Sequence, residues 1–269
     1  MNQIKSYLSN RWFFFLSTFV FSWIFWSIAI ILNQDFMSFP TIIFYALGGF
    51  GPSIIGILLM YLTKKKKEIK DFWYRSRDFK RINYKWYGAI IILSLAPLLI
   101  AGGLSILFEG SGISLDTAFM SSFLFSLMFL IIGVLAEEWG WRGYILDPLQ
   151  KKYNALISSV ILGFFWGIWH LPLFFFNGTY QQSLGVFSIE FWMFFIMIFP
   201  HSIIYTLIFN NTNRSILSAI LFHFCVNFFG QLFSFDVLVR IISNIIIFIF
   251  TILILLIYGY RTLTRDFKK

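Results

Sequence analysis

The sequence predicts an all-α protein: a polytopic membrane helical bundle of about eight transmembrane helices, with both termini cytoplasmic. Three observations carry this expectation. Of the 269 residues, 59% are hydrophobic and 22% aromatic, and only 12% are charged, about half the charged fraction of a soluble globular domain. Eight apolar runs are each long enough to cross a hydrocarbon core, which takes about 20 residues of helix for roughly 30 Å. The basic residues fall on alternate connections between those runs. No soluble linker, low-complexity tract or clear internal repeat divides the chain, so residues 1–269 read as a single transmembrane domain.

The first run, residues 12–32, is too long for a signal-peptide core and has no small-residue cleavage site behind it, so it reads as a retained helix. The second, residues 40–62, leads into the long basic connection from Thr63 to Lys85. There Phe72, Trp73, Tyr74 and Trp86 interleave with Lys and Arg, a mixture suited to the headgroup layer. Runs three and four cover residues 86–108 and 119–146, and Gly110 and Gly112 mark the turn between them. The last four cover residues 155–176, 186–209, 215–234 and 238–260. Asn177, Gly178 and Thr179 turn the chain after the fifth run; they also fit a glycosylation acceptor, a three-residue match too common to carry weight.

A net charge of +9 raises the question of nucleic acid, and the placement of the charges answers it. With eight spans alternating from a cytoplasmic N-terminus, 20 of the 21 Lys and Arg residues lie on the cytoplasmic side, and only Arg240 lies outside. The outer connections carry Asp35, Glu109, Asp116 and Asp236 instead. This asymmetry is the positive-inside rule. It reads the run Lys64 to Lys67 as an orientation signal beside anionic lipid and excludes nucleic acid as the expected partner. The single cysteine, Cys225, lies inside a span, so an intrachain disulfide is impossible and its expected role is packing.

Against this background the polar residues inside apolar runs stand out. Glu137, Glu138 and Arg142 occur where the chain is expected to be crossing lipid, and a charge there costs on the order of 3 kcal/mol. Residues four apart share a helix face, whereas neighbours point about 100° apart. Glu138 and Arg142 are therefore face-mates, and an ion pair between them lowers the cost of both charges. Glu137 points elsewhere, with no partner on its own helix. Chemistry is accordingly assigned to Glu137, and support to Glu138 and Arg142.

Trp166 precedes His170 by four positions, so its indole packs on the same face and restrains the imidazole. His223 and Asn227 repeat that spacing in the seventh run. Counted from the cytoplasmic helix ends, Glu137 lies about nine residues in, His223 about eight and His170 about fifteen. A common layer in the inner half of the membrane is expected. His201, beside Pro200, is read as satisfying a backbone group freed at a proline kink.

A neutral His with a Glu activates water, either as general bases or as ligands of a zinc ion with an open coordination position. An Asn amide with a second His stabilises the oxyanion of a tetrahedral intermediate. Glu137, His170, His223 and Asn227 together fit hydrolysis of an amide. The chain has neither G-x-S-x-G nor H-E-x-x-H.

The order Glu137-Glu138-x-x-x-Arg142, then an aromatic residue four positions before His170, then His223-x-x-x-Asn227, within such a bundle, resembles the CPBP family. That family comprises type II CAAX prenyl endopeptidases and bacteriocin-processing or immunity proteins of Gram-positive bacteria. The resemblance implies an intramembrane endopeptidase with a catalytic core at about residues 119–234. In it Glu137 and His170 activate water, His223 and Asn227 help bind metal or stabilise the oxyanion, and Glu138 and Arg142 complete the first motif. Trp166 stands where the family pattern often has Phe, an aromatic-for-aromatic change. A zinc site built from Glu137, His170 and His223 and a metal-free Glu-His site both fit these residues.

The expected setting is a bacterial cell membrane, because a Phe-, Ile- and Asn-rich chain looks like that of a low-GC bacterium. The expected substrate is a membrane-associated peptide or protein, such as a bacteriocin or signalling-peptide precursor, entering from the cytoplasmic side. The alternative class is a non-proteolytic bacteriocin self-immunity or membrane scaffold protein that retains the motifs. A proton-relaying transporter calls for inverted repeats with interrupted helices, which the sequence does not show.

Overall fold

Lipid offers no partner to a backbone N–H or C=O, so each long apolar run closes its own hydrogen bonds as helix. In the computed structural model, which describes residues 7–108 and 110–265, every one of the eight runs is helical. Helix α1 (Arg11–Leu32) starts at Asn10, whose side chain accepts from the Trp12 N–H, and stops at Asn33 in left-handed backbone. Helices α2 (Thr41–Gly49) and α3 (Gly51–Thr63) share the second run and meet at a bend of 50°. Pro52, in the first turn of α3, has no N–H to carry the ladder across from α2.

The basic connection holds α4 (Lys66–Arg77), and α5 (Tyr84–Leu107), β1 (Ile113–Leu115) and α6 (Thr117–Ser121) come next. Helix α7 (Phe123–Glu138) passes into a π-helical turn, Trp139–Ile145, and then into α8 (Leu146–Gln150). Helix α9 (Ala155–Trp169) runs on as a 3-10 turn, Leu171–Phe175. Helices α10 (Tyr180–Leu184), α11 (Ile189–Asn211) and α12 (Ile216–Leu232), strand β2 (Phe233–Phe235) and α13 (Val237–Tyr258) complete the described chain.

The number of spans is close to the expected eight. Among the described residues six helical segments are each long and apolar enough to cross a membrane, and the bent pair α2–α3 makes up to seven. Residues 215–234, expected as a span, form α12, which has only 17 residues, about 26 Å at 1.5 Å per residue. Its length is set at both ends. The Ser215 side chain caps the start by accepting from the Ser218 N–H, and the backbone turns extended at Phe233 to pair β2 with β1. The protein is an integral, multi-pass, essentially all-α membrane protein.

The chain divides into two compact units, each discontinuous in sequence: the chain through Tyr74 with Leu135–Ser202, and Arg75–Val134 with the chain from Ile203 onward. In the first unit, glycine sets the distance between α3 and the π turn. A Cβ on Gly56 would stand 3.0 Å from the Gly140 Cα, and a Cβ on Gly140 would run into the Pro52 carbonyl. The Ser53 hydroxyl adds a hydrogen bond of 2.8 Å to the Leu135 carbonyl. Helix α3 thereby fixes the position of the π turn that directly follows Glu137 and Glu138.

In the second unit α5 packs on α13 through Leu98, Ala101, Val239 and Ile246, and Ile113, Phe233 and Phe235 of the small ladder cover the same core. The strands are antiparallel, with Ile113 opposite Phe235 and Leu115 opposite Phe233. Immediately after β2, the Asp236 carboxylate caps α13. It accepts from the Val239 N–H at 2.9 Å and from the N–H and hydroxyl of Ser111 at 3.0 and 2.8 Å. These bonds, that from Val239 foremost, hold the Asp236 carboxyl below the usual carboxylate value.

This packing leads to two expected outcomes. Gly140→Ala is expected to lower stability by about 1–3 kcal/mol, read as a drop in melting temperature in detergent. Gly133→Ala, whose Cβ meets nothing within 4 Å, serves as the neutral control. The Asp236 carboxyl is lowered in the folded state, so its contribution is full above the unfolded value of 3.8 and is lost as pH falls through the folded value. Exchange at the Ser111 and Val239 amides, corrected for intrinsic rates, is expected to quicken as pH falls below about 4, and Asp236→Asn is expected to abolish that step.

Candidate active site

Helix α9 ends at Trp169 because Pro172, in the first turn of the following 3-10 segment, has no N–H to extend the α ladder. His170 is the residue just past the helix, still in right-handed helical backbone (φ −74°, ψ −10°). Its ring is buried, with Trp169 edge-on at 4.8 Å and Phe194 edge-on at 5.3 Å between centroids. Nδ1 lies 2.8 Å from the Trp166 carbonyl oxygen. A carbonyl only accepts, so Nδ1 carries the proton, and in the neutral ring the basic lone pair is on Nε2. Helix α1 secures this corner. The Trp23 indole donates to the Trp169 carbonyl at 3.1 Å, and the Trp169 indole donates to the Ser22 hydroxyl at 2.8 Å.

The carboxylates come from the end of α7. The ion pair expected between Glu138 and Arg142 is present: Arg142 Nη1 donates to Glu138 Oε1 at 2.8 Å, with the side chains 1% and 0% exposed. The π turn begins directly after Glu138, so Arg142 rides on a wider turn than an α-helix provides. Its guanidinium carbon lies 4.5 Å from the Trp166 ring centroid, a cation–π contact. Glu137, half-buried, finds its partner on another helix: the Trp166 Nε1–H donates to its Oε2 at 2.6 Å.

The first unit thus brings Glu137, Glu138, Arg142, Trp166 and His170 together. The contact expected from sequence, Trp166 beside His170, is there as tilted rings 6.0 Å apart. The indole bond to Glu137 was not foreseen, because it joins residues 29 positions apart on different helices. Trp23, Ser22 and Trp169 escaped notice for the same reason, since periodicity within one helix carries no sign of a bond between two.

His223 and Asn227 lie one turn apart on α12, in the second unit. His223 is buried, and the Tyr205 ring stands edge-on to it at 5.8 Å. His201 Nδ1 lies 2.8 Å from the Met197 carbonyl, next to the Ile196 carbonyl from which Pro200 withholds its helical donor. Cys225 is half-buried and in no disulfide. Among the described residues, no group of three or more His, Cys, Asp or Glu side chains stands together in a way that holds a metal ion.

A model of type II CAAX prenyl endopeptidases, Rce1-like, matches residues 119–229, a stretch that holds every one of these motif residues. CAAX prenyl protease 2 of Methanococcus maripaludis is 34% identical over 260 residues, which cover 94% of this chain and 96% of that protein. The chain belongs to the CAAX prenyl endopeptidase family. Membership supports an endopeptidase that works within the membrane, and the buried carboxylate–imidazole cluster lies inside the segment that the family model matches.

Arg142→Ala leaves the Glu138 carboxylate buried without its guanidinium and is expected to cost about 3–5 kcal/mol. The paired replacement Glu138→Gln with Arg142→Met is expected to cost less than Arg142→Ala alone. Thermal unfolding of the purified variants in one detergent measures both.

Proposed function

We propose that the chain hydrolyses a peptide bond in a membrane-associated peptide or protein by means of a water activated by Glu137 and His170. The observation that carries this reading is the anchoring of a carboxylate and an imidazole on one residue, Trp166, in a largely buried site. Glu137 takes a proton as the water oxygen attacks the scissile carbonyl, and the Glu-His pair returns a proton to the leaving amine. In this reading His223 and Asn227 stabilise the developing oxyanion.

The mechanism needs no metal in this reading. A Glu–His pair serves as general base and acid by itself, whereas a zinc version requires Glu137, His170 and His223 on a single centre. The termini and the basic α4 are placed on the cytoplasmic side, following the positive-inside bias, and substrate enters from that side. Prenylated CAAX C-termini are the first substrates to try, given the family, and bacteriocin-type or signalling-peptide precursors the second.

The test is purified protein in lipid nanodiscs with a farnesylated CAAX peptide, with and without chelator. Glu137→Gln and His170→Ala are expected to slow turnover by about 10²- to 10⁴-fold at normal abundance, and wild-type turnover is expected to survive chelation. Unchanged cleavage by both variants overturns the reading. Loss on chelation with recovery on adding zinc transfers it to the metal version. Accumulation without any cleavage, alongside a phenotype indifferent to both substitutions, favours an immunity or scaffold role.

A further inference from the structure

Three contacts converge on Trp166, which is itself buried. Its indole N–H reaches Glu137, its ring face carries the Arg142 guanidinium, and its carbonyl receives the His170 Nδ1–H. Indole nitrogen is a donor only, so the first bond has a single sense: the carboxylate accepts. At 2.6 Å it is short even for a charge-assisted bond. The ring cannot swing away without leaving Arg142, which Glu138 holds from the other side at 2.8 Å. The backbone that bears it belongs to α9, whose end is fastened by the Trp23 and Trp169 indoles. The N–H is therefore in place before any substrate arrives.

We infer that Trp166 is a positioning residue for the water-activating carboxylate. Its N–H clamps Oε2 of Glu137, so that Oε1 is the oxygen that takes the proton from water. An oxygen already receiving an N–H is the poorer base of the two, and the clamp also removes rotation of the carboxylate about its last bond. The same residue selects the tautomer of His170 through its carbonyl and so makes Nε2 the basic nitrogen. One residue, near the end of α9, sets the working atom of both partners. Phe at this position keeps the ring and loses the N–H. The inference rests on the hydrolytic reading above.

The cleanest test replaces Trp166 by β-(3-benzothienyl)alanine, which keeps ring size and shape and puts sulfur where the N–H stands. Expected is a fall in kcat of about tenfold with KM unchanged, at wild-type yield and melting temperature. Trp166→Phe is expected to act in the same direction. In protein labelled with ¹⁵N at the indole nitrogens, one Nε1–H resonance is expected far downfield, absent from the benzothienyl variant and shifted upfield in Glu137→Gln. Wild-type kcat in the benzothienyl variant while Glu137→Gln is inactive overturns this inference and leaves the hydrolytic reading standing. A change confined to KM, or an indole resonance indifferent to Glu137→Gln, overturns it as well. Activity retained by Glu137→Gln overturns the hydrolytic reading itself.

Discussion

A carboxylate in hydrocarbon needs a counter-charge within bonding distance, and the Glu138–Arg142 pair supplies it at 2.8 Å with both side chains buried. Desolvating two such ions is expensive, and the pair is tolerable only because its geometry is good and further groups lie against it. Trp166 is one of those groups, with its ring on the guanidinium. The same ring then presents its N–H to Glu137. A structural ion pair and the neighbouring carboxylate of Glu137 therefore share one aromatic residue, and the arrangement of the second depends on the first.

The scaffold around this pair works by close approach. Helix α3 comes near enough to the π turn that Gly56 and Gly140 meet backbone to backbone, and the Ser53 hydroxyl bonds the Leu135 carbonyl. With lipid outside and no hydrophobic drive between helices, small residues and such polar bonds are what draw helices together. On the far side α1 fastens the end of α9 through two indole donors. Tryptophan suits this task because it combines a large apolar body with one directed N–H.

Helix positions and the intrahelical pairs were legible in the sequence, because hydropathy reports crossing segments and four-residue spacing reports a shared face. Glu138 with Arg142 and Trp166 with His170 are both readable from that spacing. The bend at Phe50 and the shortness of α12 were not. Pro52 breaks a run that stays apolar throughout, and α12 is trimmed by a strand pairing with residues about 120 positions earlier in the chain. The partner of Glu137 was hidden for a similar reason: a contact between two helices leaves no period in either.

The π turn from Trp139 to Ile145 also bears on how the two halves of its helix are set against each other. An uninterrupted α-helix advances about 100° per residue, and a wider turn spends residues without the matching rotation. Helix α8, from Leu146 onward, therefore sits at a different angular phase from the one that Leu135 to Glu138 would have imposed. The acidic pair stands at the end of the regular helix, immediately before that change of phase, and Arg142, which Glu138 pairs with, stands after it begins.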